Sequence, residues 1–139
     1  MTQTVNDVMT GDPRTVAPGD TIAEAARAMR ESDAGDVLVV DQGRLSGIVT
    51  DRDIAIRAVA DGRDPNETPV SEVCTTDVHT LTPDQSVDDA IRLMREHNVR
   101  RIPVVQDGRP AGVVSLGDLA IERDERSALA EISAAPPDH

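Results

Sequence analysis

Two octapeptides, GIVTDRDI at 47–54 and GVVSLGDL at 112–119, each set a hydroxyl three positions ahead of a carboxylate: Thr50 with Asp53, and Ser115 with Asp118. The glycine and branched apolar residues in front read as a strand, so the hydroxyl stands where a strand gives way to a helix. One chemistry open to this pattern is local: the hydroxyl accepts from an orphan helix N–H while the acid complements the positive helix end, a capping box. The other turns the same geometry toward a ligand. Free N–H groups at a helix start attract an anion, and a carboxylate just inside can accept two hydrogen bonds from the vicinal hydroxyls of a ribose. Dinucleotide-binding folds pair a carboxylate with ribose in this way. The residues alone leave both readings open.

Composition narrows the setting. A net charge of −12 argues against gripping a nucleic-acid backbone, which needs a cationic surface. All 14 basic residues are Arg, so a Walker-type phosphate loop and lysine chemistry are excluded. With no Phe, Tyr or Trp, the core must be aliphatic, and a bound ring must lie against aliphatic side chains. Such acidity also suits a crowded or salty cytoplasm. The single cysteine, Cys74, forms no internal disulfide, and the start MTQTVNDVMTGDP has neither the basic nor the apolar run of a secretory signal. No stretch approaches the roughly 20 apolar residues of a membrane span. A cytoplasmic protein with no membrane or nucleic-acid partner is the expectation.

The octapeptides belong to a longer repeat. Laid over 70–122 without a gap, residues 5–57 are identical at 20 of 53 positions. Turn formers and charge in DGRDPNETP (61–69) mark the joint, dividing the chain into a first motif (1–62), a linker (63–69), a second motif (70–125) and a tail (126–139) expected to be mobile. In each copy a helical start precedes a short extended piece, around Thr15 and Val16 in the first. A helix follows, with Ile22, Ala25, Ala26 and Met29 on one apolar face, repeated as Val87, Ala90, Ile91 and Met94, and with Asp20 or Thr21 as cap. Two strands joined by a turn near Gly43, or at Asp107-Gly108, lead to a second helix. The fold class is therefore α+β (α/β): two helix–strand–helix–strand–strand–helix motifs. Sheets this small require the copies to pack together about a pseudo-twofold, creating two equivalent clefts.

The duplicated run, above all RRIPVV…G…GVVS..D, resembles a tandem pair of CBS motifs over about residues 5–122, and the chain is similar to small stand-alone bacterial CBS-pair proteins. The resemblance implies a non-catalytic regulatory module binding an adenosine-containing ligand, AMP, ADP, ATP or S-adenosylmethionine, in clefts between the motifs. It also implies dimerisation of modules into a disc. By position it assigns the ribose hydroxyls to Asp53 and Asp118, each with its Thr50 or Ser115. It assigns the adenine slot to Thr15, Val16, Thr80 and Leu81. Ala34, Gly35, Asp36 and Val37, with Val99, Arg100, Arg101 and Ile102, match the positions entering the second strand.

The copies diverge where a phosphate would lie. Arg100 and Arg101 of the second copy suit phosphate, whereas Gly35 and Asp36 replace them in the first, and Arg52 is matched by Gly117. Two unequal clefts are expected, with one competent for a charged nucleotide. His79, aligned with Arg14, stands beside a pocket position. Cys74, His79 and His97 match no zinc spacing, so no metal is expected. His97 reads as a cation complementing a helix end, and Cys74, aligned with Met9, as a small buried apolar residue. The leading expectation is an adenine-nucleotide sensor, not an enzyme, forming a homodimer and presenting its state to a protein partner. The alternative is a ligand-free dimeric interaction or stress-response scaffold whose Thr/Ser-x-x-Asp runs are only helix caps.

Overall fold

The computed structural model describes residues 3–119. Helix α1 (Val5–Val8) and strand β1 (Thr10–Gly11) lead into β2 (Thr15–Val16), α2 (Ile22–Ser32) and the hairpin of β3 (Asp36–Asp41) and β4 (Arg44–Thr50). Helix α3 opens over Asp51–Asp53 and widens into a π-helical turn at Ile54–Val59. The second half repeats this order with a 3-10 turn at Val70–Glu72, α4 (Val87–His97), β5 (Arg101–Gln106) and β6 (Arg109–Ser115). The expected tail, and most of the last expected helix, lie outside the described residues.

Local signals explain the elements. Thr21 and Ser86 cap the two long helices by accepting from Glu24 N and Asp89 N, while Asp20 instead accepts from Ala17 N. Both helices end on a left-handed residue, Asp33 and Asn98, and both hairpins turn through two left-handed residues, Gln42-Gly43 and Asp107-Gly108. The apolar face of α2 differs from expectation at one position: Ile22, Ala25 and Met29 are buried, but Ala26 is exposed and Ala28 packs in its place.

The two motifs exchange their leading segments. β1 belongs to the first repeat but pairs antiparallel with β6 of the second, Thr10 opposite Val113 and Gly11 opposite Gly112. At the equivalent place Thr75 bridges to Ile48 of β4. One sheet is therefore β1-β6-β5 and the other β2-β3-β4, with Leu81 bridging to Val104 as Val16 pairs with Val39. The cores follow the exchange. Val70, Val73 and Cys74 of the second repeat complete the core of Ile22, Met29, Val37, Val39 and Val49, whereas Val5 completes that of Leu81, Val87, Ile102 and Val114. Burying each such valine contributes about 1.5–3 kcal/mol. The joint is fastened as well, because the first free N–H groups of α2, on Ile22 and Ala23, donate to the carbonyls of Thr68 and Pro65.

Close approach of the exchanged segments accounts for the glycine that opens each octapeptide. A Cβ at Gly47 would stand 2.7 Å from the Thr75 carbonyl oxygen, and one at Gly112 would stand 2.6 Å from that of Thr10. Backbone oxygens cannot swing aside as a side-chain tip can. Gly47→Ala and Gly112→Ala are each expected to cost roughly 1–3 kcal/mol, read as a fall in melting temperature. Gly19→Ala, with nothing within 4 Å, should melt like the parent.

Candidate functional site

Both octapeptides form complete capping boxes. Thr50 Oγ1 accepts from Asp53 N at 3.1 Å and Asp53 Oδ2 accepts from Thr50 N at 3.0 Å; in the second copy both bonds, between Ser115 and Asp118, are 3.1 Å. Each carboxylate thus spends one oxygen on the cap. The other oxygen of Asp53 lies 3.9 Å from Arg57 Nε, and that of Asp118 has no hydrogen-bond partner among the described residues.

The exchange carries each aspartate to the leading loop of the opposite motif. One cleft, about 700 Å³, is lined by Thr50, Arg52 and Asp53 of the first repeat and by Asp77, Val78, His79, Val99, Arg100 and Arg101 of the second. The other, about 320 Å³, sets Ser115 and Asp118 against Asp12, Pro13, Arg14, Ala34, Gly35 and Asp36, and again Arg101. Both volumes fall in the range of small-molecule sites. Eleven positions of each lining are related through the repeat offset; Asp51 and Arg52 belong to the larger cleft alone, and Ser32 and Arg101 of the smaller one have no counterpart across the offset.

Six expected site residues stand elsewhere. Val16, Val37, Leu81 and Ile102 are buried in the two cores, because alternate strand residues face the helices, and Thr15 and Thr80 are exposed outside both linings. The cleft walls use the residues just before, Pro13 and Arg14 or Val78 and His79. Asp12 and Asp77, identical in the two copies and next to those loops, were the missed pair; their identity across the repeat was the available signal.

Electrostatics separate the clefts. Arg52, Arg100 and Arg101 face Asp51, Asp53 and Asp77 in the larger one, whereas Arg14 and Arg101 face Asp12, Asp33, Asp36 and Asp118 in the smaller. Arg101 Nε lies 3.2 Å from Asp36 Oδ1. Burial pushes the Asp36 carboxyl above its ordinary value, the Arg101 charge opposes that shift, and Asp51 and Asp118 add to it. His79 and His97 stack with ring centroids 3.6 Å apart and planes at 17°, a contact absent from the sequence reading. Cys74 is buried, and burial pushes its thiol up. Among the described residues no three His, Cys, Asp or Glu side chains converge to hold a metal ion, and no helix is long and apolar enough to cross a membrane.

Two exchanged α/β repeats with a carboxylate of each facing the other define a paired-motif module, and the sequence model of the CBS domain matches it twice, at residues 5–59 and 70–124. The chain belongs to the CBS domain family, as a tandem pair. It is 46% identical over 133 residues to the CBS domain-containing protein YhcV of Bacillus subtilis, covering 93% of this chain and 94% of that one. The CBS domain pair of protein MJ0100, in complex with 5′-methylthioadenosine and S-adenosyl-L-methionine, superposes with a TM-score of 0.82 at 30% identity, covering 91% of this chain and 99% of that one. Hypoxic Response Protein I with two coordinated zinc ions gives 0.78 at 35% identity, over 86% and 98% of the two chains.

Because the native Asp36 pKa is raised above its usual 3.8, the folded state binds a proton there before the unfolded chain does. The parent should gain stability relative to Asp36→Asn as pH falls from 7 through that raised pKa, and the gain should level off below 3.8. Melting temperatures of both proteins across this window test it; a parent that loses ground to Asp36→Asn on acidification contradicts it.

Proposed function

We propose that the protein is a non-catalytic sensor of adenosine-containing ligands, AMP, ADP, ATP or S-adenosylmethionine, held between the two motifs. The single observation that carries this reading is the pair of equivalent clefts in which Asp53 and Asp118 each face the leading loop of the other repeat. In the larger cleft the ribose hydroxyls meet Asp53, the adenine lies against Val78 and Val99, and the phosphate meets Arg52 and Arg100. Aliphatic walls suit a chain without aromatic residues. The ligand complex of the MJ0100 pair supports an adenosine ligand in this fold. A ligand touching both motifs favours one relative packing of them and so changes the surface a protein partner meets.

We place this sensor in the cytoplasm as a homodimer. Supporting the dimer is a groove in which Ile91, Val99 and the half-exposed Leu116, with Arg95, Asn98 and Arg100, lie over the buried Met94 and Leu119. Sedimentation equilibrium should give twice the chain mass of 14.8 kDa; a monomer at micromolar concentration removes this part of the reading.

Calorimetry with the four ligands is the direct test. At least one should bind with a dissociation constant below 1 mM, on the order of −4 kcal/mol or better, and Asp53→Ala with Arg100→Ala should weaken phosphate-bearing ligands by tenfold or more. The complete capping boxes favour a second reading, a ligand-free interaction scaffold. Under it the Asp53→Ala/Asp118→Ala protein loses about 1 kcal/mol of stability per cap, and no ligand moves the melting temperature of the parent.

A further inference from the structure

Arg101 lines both clefts, and the residue it pairs with is its own counterpart in the repeat, since Asp36 and Arg101 are separated by the repeat offset of 65. Equivalent residues touch each other only where the pseudo-twofold passes between them. The side chain reaches the Asp118 cleft because its neighbour there is glycine: a Cβ at Gly35 would stand 2.5 Å from Arg101 Nη2. Arg100, the counterpart of Gly35, instead adds its charge to the Asp53 cleft, where among the described residues neither Arg52 nor Arg100 forms an ion pair. Asp36, 14% exposed, has Arg101 as its ion-pair partner among the described residues, and Asp12, Asp33 and Asp118 share its cleft.

Resting on the adenosine reading of the clefts, we infer that Arg101 is a specificity residue common to both sites. A phosphorylated adenosine is taken by the Asp53 cleft alone, and the Asp118 cleft takes an adenosine derivative without phosphate, neutral or cationic. The physical reason is competition for one guanidinium. A phosphate beside Arg52 and Arg100 offers Arg101 a more negative partner than Asp36 does, with bidentate geometry. When Arg101 turns to it, Asp36 stays on the wall of the Asp118 cleft without its countercharge. Four aspartates then face Arg14 as the remaining cation of that cleft. An anion entering there is repelled, and a cationic sulfonium is drawn in. Filling the first cleft with phosphate therefore tightens the second for a cation, and linkage requires the reverse effect to be equal.

The test is calorimetry of the full chain with AMP, with S-adenosylmethionine, whose net charge is positive, and with each in the presence of saturating amounts of the other. The expected result is one AMP per chain, with S-adenosylmethionine binding roughly tenfold tighter once AMP is bound, within the usual range of coupling between sites. Asp36→Asn should abolish that enhancement and admit a second AMP. Two equal AMP sites per parent chain, displacement of S-adenosylmethionine by AMP, or unchanged affinity would overturn the inference while leaving the adenosine sensor standing. If neither compound binds the parent while ADP or ATP does, this inference alone fails; if none of the four binds, the sensor reading fails with it. Should Asp36→Asn fail to fold, the stoichiometry and mutual enhancement in the parent decide the matter alone.

Discussion

Neither repeat can finish burying its own sheet. Each centres on a hairpin with a short extended segment beside it and one long helix, too little for a stable core, and the missing wall is supplied by the segment that opens the other repeat. Val5 enters one core and Val70, Val73 and Cys74 the other, and backbone bonds from Thr10 to β6 and from Thr75 to β4 fix the depth of entry. The glycines opposite those contacts are what allow the backbones to approach. This reciprocal loan places everything else, for it brings the loops at 12–14 and 77–79 against the helix starts of the opposite motif.

A duplicated chain folded about its own pseudo-axis faces a particular electrostatic problem. Any charged residue lying on the axis confronts its copy, and two like charges at that distance repel. Here the copies have diverged to Asp36 and Arg101, which attract. The hairpin tips meet across the same axis, with Leu45 N donating to the Gly108 carbonyl at 3.0 Å and Arg44 Nη1 donating to that of Asp107. Loss of exact symmetry at the axis therefore replaces a like-charge clash by an ion pair, and it is also what makes the flanking clefts electrically unlike.

Much of this was legible in the sequence because its signals are local. The constant offset revealed two motifs, Asp20-Thr21 announced a helix start, and Gly43 and Asp107-Gly108 announced the tight turns that the structure contains. The hydroxyl–carboxylate pairs were visible for the same reason, since a capping box spans four residues. What escaped was set by contacts distant along the chain. Nothing in residues 5–11 says that they pair with β6 rather than with their own hairpin. Likewise Val16 and Leu81 carry no mark separating a cleft wall from a core position, because strand alternation had to be anchored by the neighbouring helix first. The stacking of His79 on His97 joins a loop to a helix end and has no local signature.

The order in which the two halves leave the ribosome now acquires a meaning. When the first sixty residues have emerged, their core still lacks Val70, Val73 and Cys74, while Val5 waits for a sheet not yet made. Contacts so far apart in sequence slow folding and leave apolar surface open meanwhile. The first core can close only once residue 74 is available and the second only after β6, and a nascent chain halted at the joint presents an unfinished interior to the cell's quality-control machinery.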